Sequence, residues 1–130
     1  MKSLVTKLLD DGDVTTVNTS TDLVSGEFHL QRVADERGAM QITFNQDPVG
    51  SNIDIVLEGR MFTSPTGSQT VPAWGELHTP VDIADFTAAP NFSLIVTDVQ
   101  LVPHVRVRFY ESGGTAAVAA STTVDVDLME

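Results

Sequence analysis

Hydrophobic and polar residues alternate along most of the chain, a pattern typical of β-strands that bury one face. The alternation is clearest over residues 105–110, with Val105, Val107 and Phe109 on one face and Arg106, Arg108 and Tyr110 on the other. Because neighbouring side chains of a strand point to opposite sides, the first set is predicted to be buried and the second to face outward.

A hairpin is predicted directly after this strand. Gly113-Gly114 suits the two positive-φ positions of a tight turn. With that turn, Phe109 pairs with Val118, Val107 with Ala120 and Val105 with Thr122. The returning strand then has Val124, Val126 and Leu128 inward, and Asp125 and Asp127 outward. Both strands of the predicted hairpin agree on which face is buried.

Further short strands are predicted between the glycines and prolines, at 28–33, 40–44 and 53–58. The apolar run at 93–97 predicts a strand buried on both faces, and 82–86 is expected to form one helical turn after Pro80. The sequence therefore predicts one all-β domain over 1–130, an antiparallel β-sandwich or jelly roll of about eight to ten short strands with little helix. Residues 1–13 are expected to form an extended arm or an edge strand.

The chain contains no cysteine and has a formal net charge of -11. Disulfides, thiolate nucleophiles and cysteine-based zinc sites are thereby excluded. A surface this acidic repels phosphate backbones and anionic lipids, so nucleic acid and membranes are not expected as partners. The charge serves either solubility or association with a basic protein surface. No signal peptide or membrane-spanning apolar run is recognised, so a soluble protein is expected.

Candidate chemistry is sparse. The three histidines, His29, His78 and His104, lie far apart without metal-site spacing, and no nucleophile elbow or phosphate-binding loop is present. Residues 10–13 (Asp-Asp-Gly-Asp) are interpreted as a solvated turn in preference to a calcium loop. We therefore expect no catalytic residues, no metal and no cofactor, and a binding or structural module in place of an enzyme.

Two groups of residues are candidates for binding. Trp74 with His78 is a candidate ligand platform for a sugar, although a half-buried tryptophan is the favoured alternative. The second group is a candidate protein interface, because arginine and tyrosine are enriched at protein–protein interfaces. It consists of Arg106, Arg108 and Tyr110. The alternative for this second group is a solvent-facing side that balances nearby acids.

Several segments resemble a known family. Residues 51–60 (SNIDIVLEGR) resemble the valine-rich strand followed by Leu/Phe-Glu-Gly-Ser/Arg in small β-sandwich structural proteins of tailed bacteriophages. Residues 102–108 (VPHVRVR) are similar to their later Pro-x-Val-Arg-Val/Ala strand, and Gly113-Gly114-Thr115 to their closing hairpin. Residues 61–67 depart from the family's Leu-Asp-Gly-Thr-Asn-Trp turn.

The resemblance implies a virion component, made in the host cytoplasm and placed on the capsid exterior. Its implied role is that of a decoration (cement) protein, which binds the major capsid protein as a homo-oligomer, with a trimer favoured, and stabilises the shell. A tail or head–tail structural subunit is the alternative in the same particle. A carbohydrate- or receptor-binding module is the alternative of another class.

Overall fold

The computed structural model describes residues 5–18, 20–30, 37–50, 52–61, 70–87, 89–113 and 122–130. Strands dominate these residues, and short 3-10 turns at Val14–Thr16, Ile83–Thr87 and Pro90–Phe92 connect some of them. In chain order the strands are β1 (Val5–Asp13), β2 (Leu23–Val24), β3 (Phe28–His29), β4 (Arg37–Phe44), β5 (Ile53–Arg60), β6 (Gly75–Glu76), β7 (Val81–Asp82), β8 (Ser93–Gln100), β9 (His104–Glu111) and β10 (Thr123–Met129).

The strands form two antiparallel sheets that pack face to face. One sheet has the order β1-β10-β4-β8. The other has β9 and β5 at its centre, with β2 and β3 along the free side of β9, and β6 and β7 along the free side of β5. The predicted all-β sandwich is therefore confirmed.

The core lies between the sheets and contains the inward set of each long strand. Val105, Val107 and Phe109 are fully buried, as the alternation predicts. Phe44 joins the layers: its ring lies 4.8 Å from that of Phe86 and 6.4 Å from that of Phe109, both edge to face. This geometry suits the ring quadrupoles and adds to the apolar area removed from water.

The predicted pairing of β9 with the returning strand is wrong. Both edges of β9 are occupied, by β5 on one side and by β2 and β3 on the other. Val105 pairs with Gly59 and Phe28, which leaves no edge for Thr122. The chain instead crosses to the other sheet, where β10 lies between β1 and β4. The inward face of β10 is nevertheless as predicted, and the proposed partners Val118 and Ala120 lie outside the described residues.

The prediction that 93–97 is buried on both faces is also wrong. These residues begin β8, an edge strand of the four-stranded sheet. Leu94 and Val96 are half-buried against the core, whereas Ile95 on the opposite face is 60% exposed. A continuous apolar run reflects two-sided burial only where both faces are covered, and here the outer face is open.

The predicted helical turn agrees with the structure, and residues 1–4 of the predicted N-terminal arm or edge strand lie outside the described residues. The described residues of 1–13 form β1, an edge strand interrupted by two register shifts. Such irregularities discourage edge-to-edge pairing with other chains. The predicted helical turn corresponds to the 3-10 turn at Ile83–Thr87, whose Ile83 and Phe86 side chains are buried.

Candidate functional site

The outer face of the six-stranded sheet carries a continuous row of arginine and aromatic side chains. The β5–β9 register sets Tyr110 beside Asp54, Arg108 beside Val56 and Arg106 beside Glu58. Trp74 immediately precedes β6, whose Gly75 pairs with Gly59 of β5. We call this row the arginine–aromatic ladder; it comprises Arg60, Trp74, Arg106, Arg108 and Tyr110.

Glu58 anchors the ladder. Its side chain faces outward, yet the residue is only 4% exposed. Arg106 Nε donates to one carboxylate oxygen at 2.9 Å, and Arg108 lies 3.5 Å from the other. Arg108 Nε also donates to Asp22 at 2.8 Å. A buried carboxylate needs such paired, charge-assisted donors, so these arginines first serve the fold.

Trp74 lies against two guanidinium groups of the ladder. The central carbon of the Arg60 guanidinium is 4.2 Å from the indole centroid, and that of Arg106 is 4.4 Å away. Arg60 is itself held by Glu27 at 2.6 Å. The half-buried indole therefore matches the alternative favoured from the sequence. A sugar stacking on a face that carries an arginine would have to displace that side chain.

His78 is engaged through both ring nitrogens. The backbone N–H of Leu57 donates to Nε2 at 2.9 Å, and Nδ1 lies 2.7 Å from the carbonyl oxygen of Thr79. These partners fix the tautomer with the proton on Nδ1, which donates to Thr79. Burial lowers the pKa of His78 and so favours this neutral ring. His78 thus completes the backbone pairing of β5, and its predicted ligand role stays a prediction.

The predicted interface residues Arg106, Arg108 and Tyr110 do share one face, and all three have internal partners. The Arg108 guanidinium lies 4.4 Å above the Tyr110 ring. Burial, followed by the nearby Asp54 carboxylate, raises the pKa of the Tyr110 phenol. That this face contacts another protein stays a prediction. Reversing the charge of both arginines is expected to destabilise the fold, because it would surround the buried Glu58 with carboxylates.

The outer face of the four-stranded sheet has a different character. Cross-strand pairing brings Val5, Met129 and Ala39 into one row, and Ile95 lies in the next row beside Gln41. Val5 is 65% exposed, Ile95 60% and Met129 43%. These four apolar residues, Val5, Ala39, Ile95 and Met129, are called the apolar end. They line a shallow cavity of about 170 Å³, together with Gln41 and Asp127.

The sequence pattern does not predict the apolar end. It places Ile95 in a buried run, and Val5 and Met129 lie at the ends of strands that are far apart in the chain. Only the order β1-β10-β4-β8 brings these side chains together. The run 94–96 does contain one indication of this surface. In a strand with alternating side chains, Ile95 lies on the face opposite to Leu94 and Val96.

The acidic segment 10–13 is not the predicted turn. It forms the end of β1, where the Asp11 backbone N–H donates to the Asp125 carboxylate at 2.8 Å. Ligand oxygens of Asp10, Asp11 and Asp125 lie within 4.8 Å of one another, and Asp10 and Asp11 are exposed. Asp13 caps the following 3-10 turn, and hydrogen bonds from Thr15 lower the pKa of its carboxyl group. Solvated carboxylates of this kind are common without a bound ion.

Comparisons with known proteins add no relative: no protein-family model, curated protein or solved structure matches the chain. The resemblance to phage structural proteins therefore stays a hypothesis carried by the sequence segments. Among the described residues, no helix has the length and apolarity needed to cross a membrane.

Proposed function

We propose that this protein is a structural component of a tailed-phage particle, a decoration protein that docks on the outside of the assembled major capsid shell. The observation that carries the proposal is the apolar end, an exposed apolar surface on an otherwise strongly acidic protein. The family resemblance of 51–60 and 102–108 supports the choice of particle. The sandwich is a suitable scaffold because its core lies between the sheets and leaves the apolar end exposed on an outer face.

The apolar end suits a protein side chain better than a free small molecule. Its cavity of about 170 Å³ is below the roughly 300–1,000 Å³ of typical small-molecule pockets. Exposed apolar residues that are contiguous and rimmed by polar groups are characteristic of protein-binding surfaces. Here the rim includes the Lys7–Asp127 ion pair, at 3.2 Å, which is locally neutral.

Charge complementarity indicates the chemistry of the docking partner. With a net charge of -11, the protein is attracted to a surface that presents an apolar side chain among basic residues. A symmetric shell repeats such a surface many times. A homo-oligomer, with a trimer favoured, would engage several copies at once, so weak individual contacts would combine into tight attachment.

The test is a comparison of two matched substitutions. Ile95 and Val49 are each 60% exposed, but only Ile95 belongs to the apolar end. Ile95→Glu and Val49→Glu introduce the same charge at equally exposed sites. We expect the Ile95 variant to lose co-sedimentation with assembled shells by about tenfold or more, as expected for a charge placed in an apolar contact. The Val49 variant is expected to bind as the parent protein does.

Thermal melting of decorated shells gives the second readout. The parent protein and Val49→Glu should raise the shell melting temperature, and Ile95→Glu should not. Absence of binding to shells by the parent protein would overturn the proposed function. Rings or polymers of the isolated protein in analytical ultracentrifugation would favour a tail or head–tail subunit. Trp74 fluorescence changes on a glycan panel would favour a sugar-binding module.

A further inference from the structure

Two histidines that are far apart in the sequence lie opposite each other on the six-stranded sheet. His29 of β3 pairs with His104 of β9. The adjacent Leu30 N–H donates to the Pro103 carbonyl at 2.8 Å, which makes that neighbouring pair the hydrogen-bonded one. The histidines therefore occupy a non-hydrogen-bonded position, where facing side chains are closest. Their rings stack with centroids 4.8 Å apart and an interplanar angle of 16°.

The free nitrogens of this pair distinguish it from His78. In the part of the chain that the structure describes, neither ring of the pair forms a hydrogen bond, whereas both nitrogens of His78 are occupied. His29 is exposed and His104 is partly exposed, so solvent and ions reach the rings. The sequence spacing of the histidines does not predict this pair, because the two residues come together only through the β3–β9 register.

We propose that the His29–His104 pair binds a divalent transition-metal ion through one imidazole nitrogen from each ring. Neutral imidazole suits Cu²⁺, Ni²⁺ and Zn²⁺, and the general order of affinities places Cu²⁺ first. The stacked rings must turn about their Cβ–Cγ bonds to direct two nitrogens at one ion. That torsion is broad and soft for histidine, and the non-hydrogen-bonded position already holds the side chains close together.

The charges around the pair are compatible with a cation. Arg60 pairs in register with His104 on the β5 side, and its charge opposes the ion. Glu27, two residues before His29, forms an ion pair with Arg60 at 2.6 Å and compensates for that charge. Two protein ligands leave the remaining coordination positions to water, which gives a weaker site than a closed structural zinc site.

The test is titration of the full chain with Cu²⁺ alone, followed by calorimetry and by electron paramagnetic resonance (EPR). We expect nitrogen hyperfine structure from two imidazoles and a rise in the melting temperature on adding Cu²⁺. His29→Gln and His104→Gln should each weaken binding by at least about tenfold, since each removes one of two ligands. Asp125→Asn, which alters the acidic cluster at β1, is the control and should bind Cu²⁺ as the parent does.

His29 is exposed, so its substitution leaves a folded protein in which the loss of affinity is measurable. Unchanged affinity in either histidine variant would overturn the two-ligand site. An EPR spectrum without nitrogen ligands would do the same. Loss of binding in Asp125→Asn with retention in the histidine variants would place the ion at the acidic cluster and also overturn the proposal.

Discussion

Glu58 shows how a single residue determines the character of a surface. The alternation in β5 correctly places its side chain outward, where exposure would normally follow. Glu58 is instead buried, and the guanidinium groups of Arg106 and Arg108 pair with its two carboxylate oxygens. The sequence predicts the direction of each side chain. It does not predict this burial, which depends on the β5–β9 register.

Replacing Glu58 by glutamine should destabilise the protein by about 1–3 kcal/mol. The substitution keeps the side-chain volume but removes the negative charge that balances two partly buried guanidiniums. Urea-induced unfolding followed by circular dichroism measures the effect.

Asp22→Asn is the matched control for this substitution. Asp22 also pairs with Arg108, but both partners are about one third exposed. Solvent-exposed ion pairs contribute little, so a loss below about 1 kcal/mol is expected. Equal losses in the two variants would contradict a special role for the buried carboxylate.

At the scale of elements, the His78 side chain gives β5 a hydrogen-bond acceptor that the backbone of a neighbouring strand would otherwise supply. The free side of β5 pairs with β7 near one end and with β6 near the other. Between these two short strands the Leu57 N–H is satisfied by the His78 ring. Without an acceptor, the buried Leu57 N–H would destabilise the fold by the free energy of its desolvation. The His78 imidazole supplies this acceptor at the position between β7 and β6.

The stability of this junction should depend on pH. Burial lowers the folded-state pKa of His78 below its ordinary value of 6.5, so the unfolded chain takes up the proton at a higher pH. The stabilising contribution is therefore present above pH 6.5 and is lost as the pH falls through the folded-state pKa. A protonated ring cannot accept from Leu57.

We expect the free energy of unfolding of the parent protein to decrease between pH 7 and pH 5. His78→Gln offers an acceptor that does not titrate, so its decrease over the same range should be smaller. Denaturant unfolding at a series of pH values provides the comparison. Identical pH dependence in the two proteins would show that this histidine does not control the junction.

Strand existence and strand pairing were predictable to different degrees. The inward residues of β9 and β10 follow from alternation, because the hydrophobic effect selects which face is buried. Alternation carries no information on which strand lies alongside. The Gly113-Gly114 pair predicts a hairpin between β9 and β10, but these two strands belong to different sheets. The same limit explains β8, whose apolar run gave no sign of an edge position. Contacts such as His29–His104 and the apolar end depend on pairing, and could not be predicted.

On the scale of the whole molecule, the net charge of -11 opposes compactness through self-repulsion. Added salt screens this repulsion, since the screening length falls from about 30 Å at 0.01 M to about 10 Å at 0.1 M. We therefore expect the melting temperature of the isolated protein to rise by a few degrees between 10 mM and 300 mM NaCl. Differential scanning calorimetry gives the measurement.

The same salt series separates folding from docking. Attraction to a basic shell surface should weaken over the range in which the isolated protein becomes more stable. A melting temperature that falls with salt would indicate that local ion pairs, such as Glu58 with Arg106, outweigh the overall repulsion. Shell binding that is indifferent to salt would leave the apolar end as the only contribution to docking.

The position of β10 between β1 and β4 has a kinetic consequence. Among the residues that the structure describes, β1 pairs in its sheet with β10 alone, and Val5 pairs with Met129 across almost the whole described chain. Forming this contact requires closing a very long loop, whose entropy must be lost before the pairing is gained. The molecule is therefore expected to fold slowly, and β1 is expected to dock only after β10 has paired with β4.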